Sequence, residues 1–440
     1  MTTATSTSLA LPTAWPRAAG WRLAALYGPG VYGVTAAAVA LPAAAGPLRS
    51  GGAGIAWILT AYAAGMGVGA VTAGRLIDLK GDRDVLVVTV LILIAGAMLC
   101  LMAPSLPVLV AGRVVLAIGS GAAKAIALAG IARLPPARRP AGLTAFGVCL
   151  AMFCATAPLA GAVAAHLSWR APLILPVLSI AVAPVGWSLT TRLATPRPID
   201  WKGAGLCAVT AAGLLLAVQT LSYQTHAVPA TAAALTAATG IALAARSRHS
   251  QLHQFVPGEV IRAGWFWWAA ATGAGAYAGL FAICYAGPSL LHQHGFTTMG
   301  IGVLLLPSAA IAAGLTRTVG RLARRVSARR LLTTTSVLLA VALSCTAAAP
   351  HPITIVCCAA VAFTASASAQ MLLNVHVSGH SHDAARSAAV GLLALTLFLG
   401  GGCGTAILVA IWQLHGLVAA MAAVAGLALI GAVAARQLRD

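Results

Sequence analysis

Acidic side chains are nearly missing from this chain. Seven Asp and Glu stand against 27 Lys and Arg over 440 residues, and only 8% of the residues are charged. Soluble proteins carry about 25%, so a composition that is 60% hydrophobic excludes an ordinary soluble domain. A nucleic-acid binder can be as basic, yet it needs its bases gathered on a soluble surface. Here they fall in short groups between apolar runs, and no nucleic-acid partner is expected. The nine cysteines are scattered without metal-ligand spacing or a disulfide framework, so neither metal nor cofactor is expected. No G-x-x-x-x-G-K-[ST] loop is present, which disfavours ATP-driven work by this chain. The opening residues lack a basic stretch before a cleavable apolar core, which argues against a removed signal peptide. What remains is an all-α polytopic membrane protein.

A bilayer core takes about 20 apolar residues per helix. Runs near that length number fourteen, at 23–45, 53–74, 84–103, 106–131, 141–166, 169–190, 203–223, 227–245, 262–288, 299–318, 330–349, 352–376, 385–409 and 413–435. The boundary at Arg170 and the Ala- and Thr-rich run 227–245 are the weakest, leaving twelve or thirteen as the next counts. With the N-terminus inside, 23 of the 27 bases fall in cytoplasmic segments, Arg192, Arg197 and Arg439 among them. The outer loops hold only Arg49 and Arg170, while Arg113 and Lys124 lie within span four. That bias predicts both termini in the cytoplasm. The expected location is a bacterial inner (plasma) membrane, with lipid as surroundings and a monomer as the working unit.

The motif Gly74-Arg75-Leu76-Ile77-Asp78-Leu79-Lys80-Gly81-Asp82-Arg83 closes span two, and a weaker echo, Gly320-Arg321-Leu322, follows span ten. Glycines 74 and 81 permit a tight turn, and Asp78 can meet Arg83 or the positive end of a neighbouring helix. Further motifs are Ala40-Leu41-Pro42, Trp57-Ile58-Leu59-Thr60-Ala61-Tyr62, Ala157-Pro158-Leu159-Ala160-Gly161 and Leu304-Leu305-Leu306-Pro307. In these motifs, taken in order, the chain resembles the major facilitator superfamily, and more closely its fourteen-span drug:proton antiporter branch. The resemblance implies a fold of two six-helix bundles with two extra central helices. It divides the chain into a cytoplasmic tail 1–22, a first bundle 23–190, a linker with the two extra helices 191–260, a second bundle 261–436 and a tail 437–440. It also implies alternating access between the bundles, with Gly74, Asp78, Gly81, Arg83, Pro158 and Gly161 in gating and conformational roles.

An ionisable group at membrane depth is a functional-site hypothesis by default. Arg113 and Lys124 are eleven residues apart, which is almost three turns and about 16 Å along one helix face. Both are read as lining the substrate cavity, together with Tyr32, Tyr62, Tyr277, Tyr285, Gln370 and Asn374. Tyr27, Trp265, Trp267 and Trp268, near span starts, are read as interfacial anchors. The seven acids are Asp78, Asp82, Asp84, Asp200, Glu259, Asp383 and Asp440, none of them mid-span. In span one Gly33 stands where the family has an acid, and in span four Leu116-Ala117 replaces its usual Gln-Gly. Proton coupling would then need histidine. Most histidines, including His226, His249 and His253, fall in loops, and His376 at the end of span twelve is the coupling candidate.

The chain is therefore expected to be a secondary active transporter, not an enzyme, exporting small amphipathic compounds in the manner of a multidrug efflux antiporter. A proton or another ion would be the coupling partner. The alternative is a specific carrier of an organic anion or other small metabolite, held by Arg113 and Lys124. If those two charges line the path, Lys124→Ala and Arg113→Ala each abolish anion uptake into inverted membrane vesicles. Intact uptake in both variants would remove the cavity-charge argument.

Overall fold

The computed structural model describes residues 16–135, 138–187, 189–190, 200–222, 227–248, 255–382 and 385–438. Arg192, Arg197, His226, His249, His253, Asp383, Arg439 and Asp440 lie outside the described residues. All regular structure among the described residues is helical. In order the helices are α1 (Pro16–Ala45), α2 (Gly52–Lys80), α3 (Asp82–Met102), α4 (Leu106–Ala132), α5 (Arg139–Ala165), α6 (Ala171–Ile174) and α7 (Ser179–Trp187). They continue as α8 (Trp201–Gln219), α9 (Ala227–Arg248), α10 (Gly258–Arg262), α11 (Gly264–Gln293), α12 (Thr298–Leu322), α13 (Ala328–Ala348), α14 (Pro352–His380) and α15 (Arg386–Ala435).

Twelve of these helices are long and apolar enough to cross a bilayer. One place departs from the spans read in the sequence. The run expected as one helix over 169–190 is broken into α6, a 3-10 turn (Leu175–Leu178) and α7. Pro176 stands at the break, where its ring removes an amide donor, whereas Pro172 lies in the first turn of α6 and Pro184 inside α7. The runs 385–409 and 413–435 both fall in α15, whose 50 residues are two helices meeting at a kink. The helix is interrupted at Gly416, whose φ of 83° places it in a conformation that suits glycine.

Packing sorts the helices into two halves and an insert. In the first, α1 lies against α4, α5 and α7, and α4 lies against α2 and α3. In the second, α14 and α15 pack with α11 and α13, and α12 joins α14. The seam between the halves is formed by α2 against α15, α5 against α12 and α1 against α11. Small residues allow this closeness where lipid supplies no hydrophobic drive between helices. Gly161 is one case, because a Cβ there would sit 2.4 Å from the carbonyl oxygen of Ala36.

The insert is the α8–α9 pair, with α8 also touching α2 and α15. Only 6% of the most apolar stretch of α9 is buried, against 89% for α1, so α9 lies outside the core. One carboxylate ties the insert down. Asp200 caps α8 by accepting from Gly203 N at 2.9 Å, receives Arg246 Nη2 at 2.6 Å and accepts from Phe255 N at 3.4 Å. Burial alone would raise the Asp200 carboxyl, but the Arg246 bonds and the two backbone amides outweigh it and hold the group below its ordinary value. Its contribution is therefore present above the unfolded-chain carboxylate range, near pH 4, and lost as pH falls through the lower folded value. Asp200→Ala should lower thermal stability in detergent by about 1 kcal/mol, the usual cost of an N-cap. The difference from the parent chain should shrink toward zero as the melting buffer is taken well below pH 4.

Candidate functional site

Helix α4 carries two cations into the protein interior, Arg113 at 0% exposure and Lys124 at 1%. They are treated very differently. The Arg113 guanidinium donates from Nε to Ile58 O at 3.2 Å, from Nη1 to Leu173 O at 2.7 Å and from Nη2 to Gly33 O. Its carbon centre also lies 4.2 Å from the Tyr62 ring centroid. All four partners belong to α1, α2 and α6, so the group is solvated by carbonyl dipoles and a ring face within the first half.

This arrangement accounts for Gly33. A Cβ at that position would fall 2.0 Å from Tyr62 Cζ, so a side chain there would displace the Tyr62 ring. The Tyr62 ring occupies the space, with its hydroxyl 2.8 Å from Gly30 O and 2.9 Å from Ser120 Oγ. Where the family resemblance calls for an acid, this chain has a tyrosine from the next helix.

Lys124 has none of this support. Its Nζ is buried with no hydrogen-bond partner among the described residues. It faces two rings from opposite halves, Phe398 of α15 at 4.7 Å and Tyr27 of α1 at 5.8 Å. Tyr27 stacks with Phe146 at 6.4 Å, and Phe398 meets the Tyr277 ring edge-on at 5.4 Å. The Tyr277 hydroxyl reaches Gln370 Oε1 at 3.0 Å. The amine therefore lies at the seam, walled by aromatic rings from both halves.

The other sequence-read residues are spread through the molecule. Tyr32 is 2.8 Å from Thr156 Oγ1 and packs on Phe153, inside the first half. Tyr285 donates to Gly52 O at 3.0 Å and so links α11 to α2 at the end of the seam remote from the start of α1. Pro158 borders a cavity of about 20 Å³ between the halves, with Thr35, Ile283 and Phe363, roughly the room for one water. At the opposite end Ser387 donates to Asp78 Oδ2 at 2.8 Å, linking the end of α2 to the first turn of α15. Asp78 thus meets a hydroxyl in the first turn of α15. Arg83 instead lies over the Trp187 ring at 4.4 Å. Gly81, with φ 79°, makes the turn between α2 and α3, while nothing comes within 4 Å of a Cβ built at Gly74. Asn374 is half-buried on α14, and His376 packs its ring on His380 at 4.2 Å and Trp265 at 6.3 Å.

Three ring residues of this site escaped the sequence reading. Tyr27, read there as an interfacial anchor, is 4% exposed and faces Lys124, whereas Trp267 and Trp268 remain exposed. Phe146 and Phe398 were not singled out, since one apolar ring in an apolar span carries no local signal.

Residues 23–405 match the sequence pattern of the Major Facilitator Superfamily. An uncharacterized MFS-type transporter of Mycobacterium tuberculosis is 33% identical over 166 residues, which is 37% of this chain and 24% of that protein. The multidrug resistance protein Stp of the same organism is 26% identical over 302 residues, covering 66% of this chain and 56% of Stp. The chain thus spans between about a quarter and just over half the length of these relatives. In fold, a POT family transporter crystallised with 5-aminolevulinic acid superimposes with a TM-score of 0.70 at 13% identity, over 95% of this chain and 94% of that one. The human organic anion transporter MFSD10 superimposes with a TM-score of 0.60 at 14% identity, over 96% and 98%. With the motif order, the helical halves and a match over most of its length, this chain belongs to the Major Facilitator Superfamily, a family of transporters and not of enzymes.

Proposed function

We propose that the chain is a secondary active transporter that exports small amphipathic compounds by alternating access along the seam between residues 23–190 and 261–436. The observation that carries this reading is the Lys124 box, in which an unpartnered amine meets aromatic rings from both halves. Rocking the halves apart would open the box, and aromatic walls accept varied shapes. The likeness to a protein named for multidrug resistance supports the exporting direction. Fourteen crossings follow if α15 is counted as two, on either side of Gly416, and the broken run Ala171–Trp187 as one. An even count agrees with both termini in the cytoplasm.

A second reading, a carrier of organic anions, is favoured by what surrounds Lys124. Among the described residues the acids are Asp78, Asp82, Asp84, Asp200 and Glu259, all at helix ends or in the short α10. No carboxylate is therefore placed to neutralise the amine, and a substrate anion would supply the missing charge. Coupling to protons, on either reading, falls to His376 in place of a mid-membrane acid.

Replacement separates the two cations. Lys124→Met removes a charge that loses no hydrogen bond and should leave detergent melting unchanged or raised. Arg113→Met removes three buried hydrogen bonds to a charged group and should cost about 3 kcal/mol or more. In inverted vesicles with an imposed proton gradient, Lys124→Met should lower accumulation of an anionic probe by at least about tenfold, the effect of losing one desolvated charge contact. Under the amphiphile reading a matched neutral probe is still accumulated. Equal accumulation of all probes by the parent chain and Lys124→Met would remove the amine from the path.

A further inference from the structure

The broken run α6–α7 leaves a second feature, on the outer face of the first half. A groove of about 540 Å³ runs between α3 and α7, lined by Val87, Val90 and Leu91 on one side and Ala183, Pro184 and Trp187 on the other. This volume lies in the range of ligand pockets. All of its walls are apolar, and its α3 wall belongs to the first three turns after Asp82. At that end stands Arg83, which takes part in no ion pair among the described residues. Its Nε is buried without a hydrogen-bond partner, and its guanidinium rests on the Trp187 ring.

The neighbouring acids do not neutralise it. Asp82 is paired with Arg133. Asp84 is the next residue along α3, and adjacent residues do not share a helix face. Lys80, exposed at the end of α2, adds a second positive charge to the same end of the molecule. A cation at one end of an apolar groove on a membrane-facing surface matches one kind of molecule, a chain-bearing anion whose head lies at the interface.

We propose that this groove binds an anionic phospholipid, with one acyl chain between α3 and α7 and the phosphate at Arg83. The arrangement is independent of the seam and of any transported compound. Trp187 has two roles in it, closing the groove and orienting the guanidinium by its ring face. A zwitterionic lipid would fill the groove equally well but would bring its own cation to Arg83, so the site discriminates by headgroup.

The test is lipid retention by the full chain, purified in detergent and followed by native mass spectrometry. Phosphatidylglycerol, phosphatidylethanolamine and phosphatidylcholine with identical acyl chains are the probes. The parent chain should retain one phosphatidylglycerol about fivefold better than either zwitterionic lipid, as expected for one interfacial cation. Arg83→Gln should level the three lipids. Val87→Trp, at a position 44% exposed, fills the groove while leaving Arg83 in place and should reduce retention of all three. Equal retention of the three lipids by the parent chain, or an undiminished preference in both variants, would overturn the site and leave only annular lipid. Displacement of phosphatidylglycerol by a transported probe would also overturn it, marking the groove as part of the transport path.

Discussion

A charge carried into hydrocarbon must bring its own solvation, because nothing outside the protein will provide it. The interior of the first half is organised around that requirement at Arg113. Three carbonyls from three separate segments point at one guanidinium, and a tyrosine face covers it. Each of those carbonyls belongs to a helix that must be held at a set distance. Gly33 lets Tyr62 approach α1, and the disrupted geometry near Leu173 frees a carbonyl to accept. The arginine is thus a fastening between α1, α2, α4 and α6. Its cost in desolvation is offset by partners that all lie within the first half.

Lys124 follows the opposite logic almost three turns further along the same helix face. It is positioned where its surroundings come from two bodies, so its solvation depends on how those bodies stand relative to each other. With the seam closed, only ring faces meet the amine, each worth up to about 2 kcal/mol when desolvated. Lys124 is surrounded from both sides of the seam and Arg113 from one side alone. The same helix therefore provides one cation bonded within a half and one shared between the two.

Much of the membrane architecture was readable from composition alone, because crossing a bilayer imposes a length and forbids charge. The start of α2, the turn at Gly81 and the placement of bases between spans all reflect those two demands. The broken α6–α7 run was harder. Its prolines were visible in the sequence, yet apolar length outweighed them in the reading as one span. The site itself was legible only in part. Lys124 and Arg113 stood out as charges in apolar surroundings, but nothing local distinguishes the fastened one from the unfastened one. That difference rests on Gly33 meeting Tyr62 and on Lys124 meeting Phe398, contacts between residues 29 and 274 positions apart. Pattern reading finds costly residues readily, and packing alone decides who shares the cost.

The position of α8 makes the two flanks of the seam unequal toward the bilayer. Gln219 donates to Ala53 O at 3.0 Å, and Leu215 fills the space left by the missing side chain of Gly402. The helix thus lies along the line where α2 meets α15, shielding that flank of the seam from lipid. Among the described residues, the flank where α5 meets α12 has no such cover from the insert. The bilayer therefore meets two unequal flanks, one shuttered by a helix that rests on both halves and one closed only by the halves themselves.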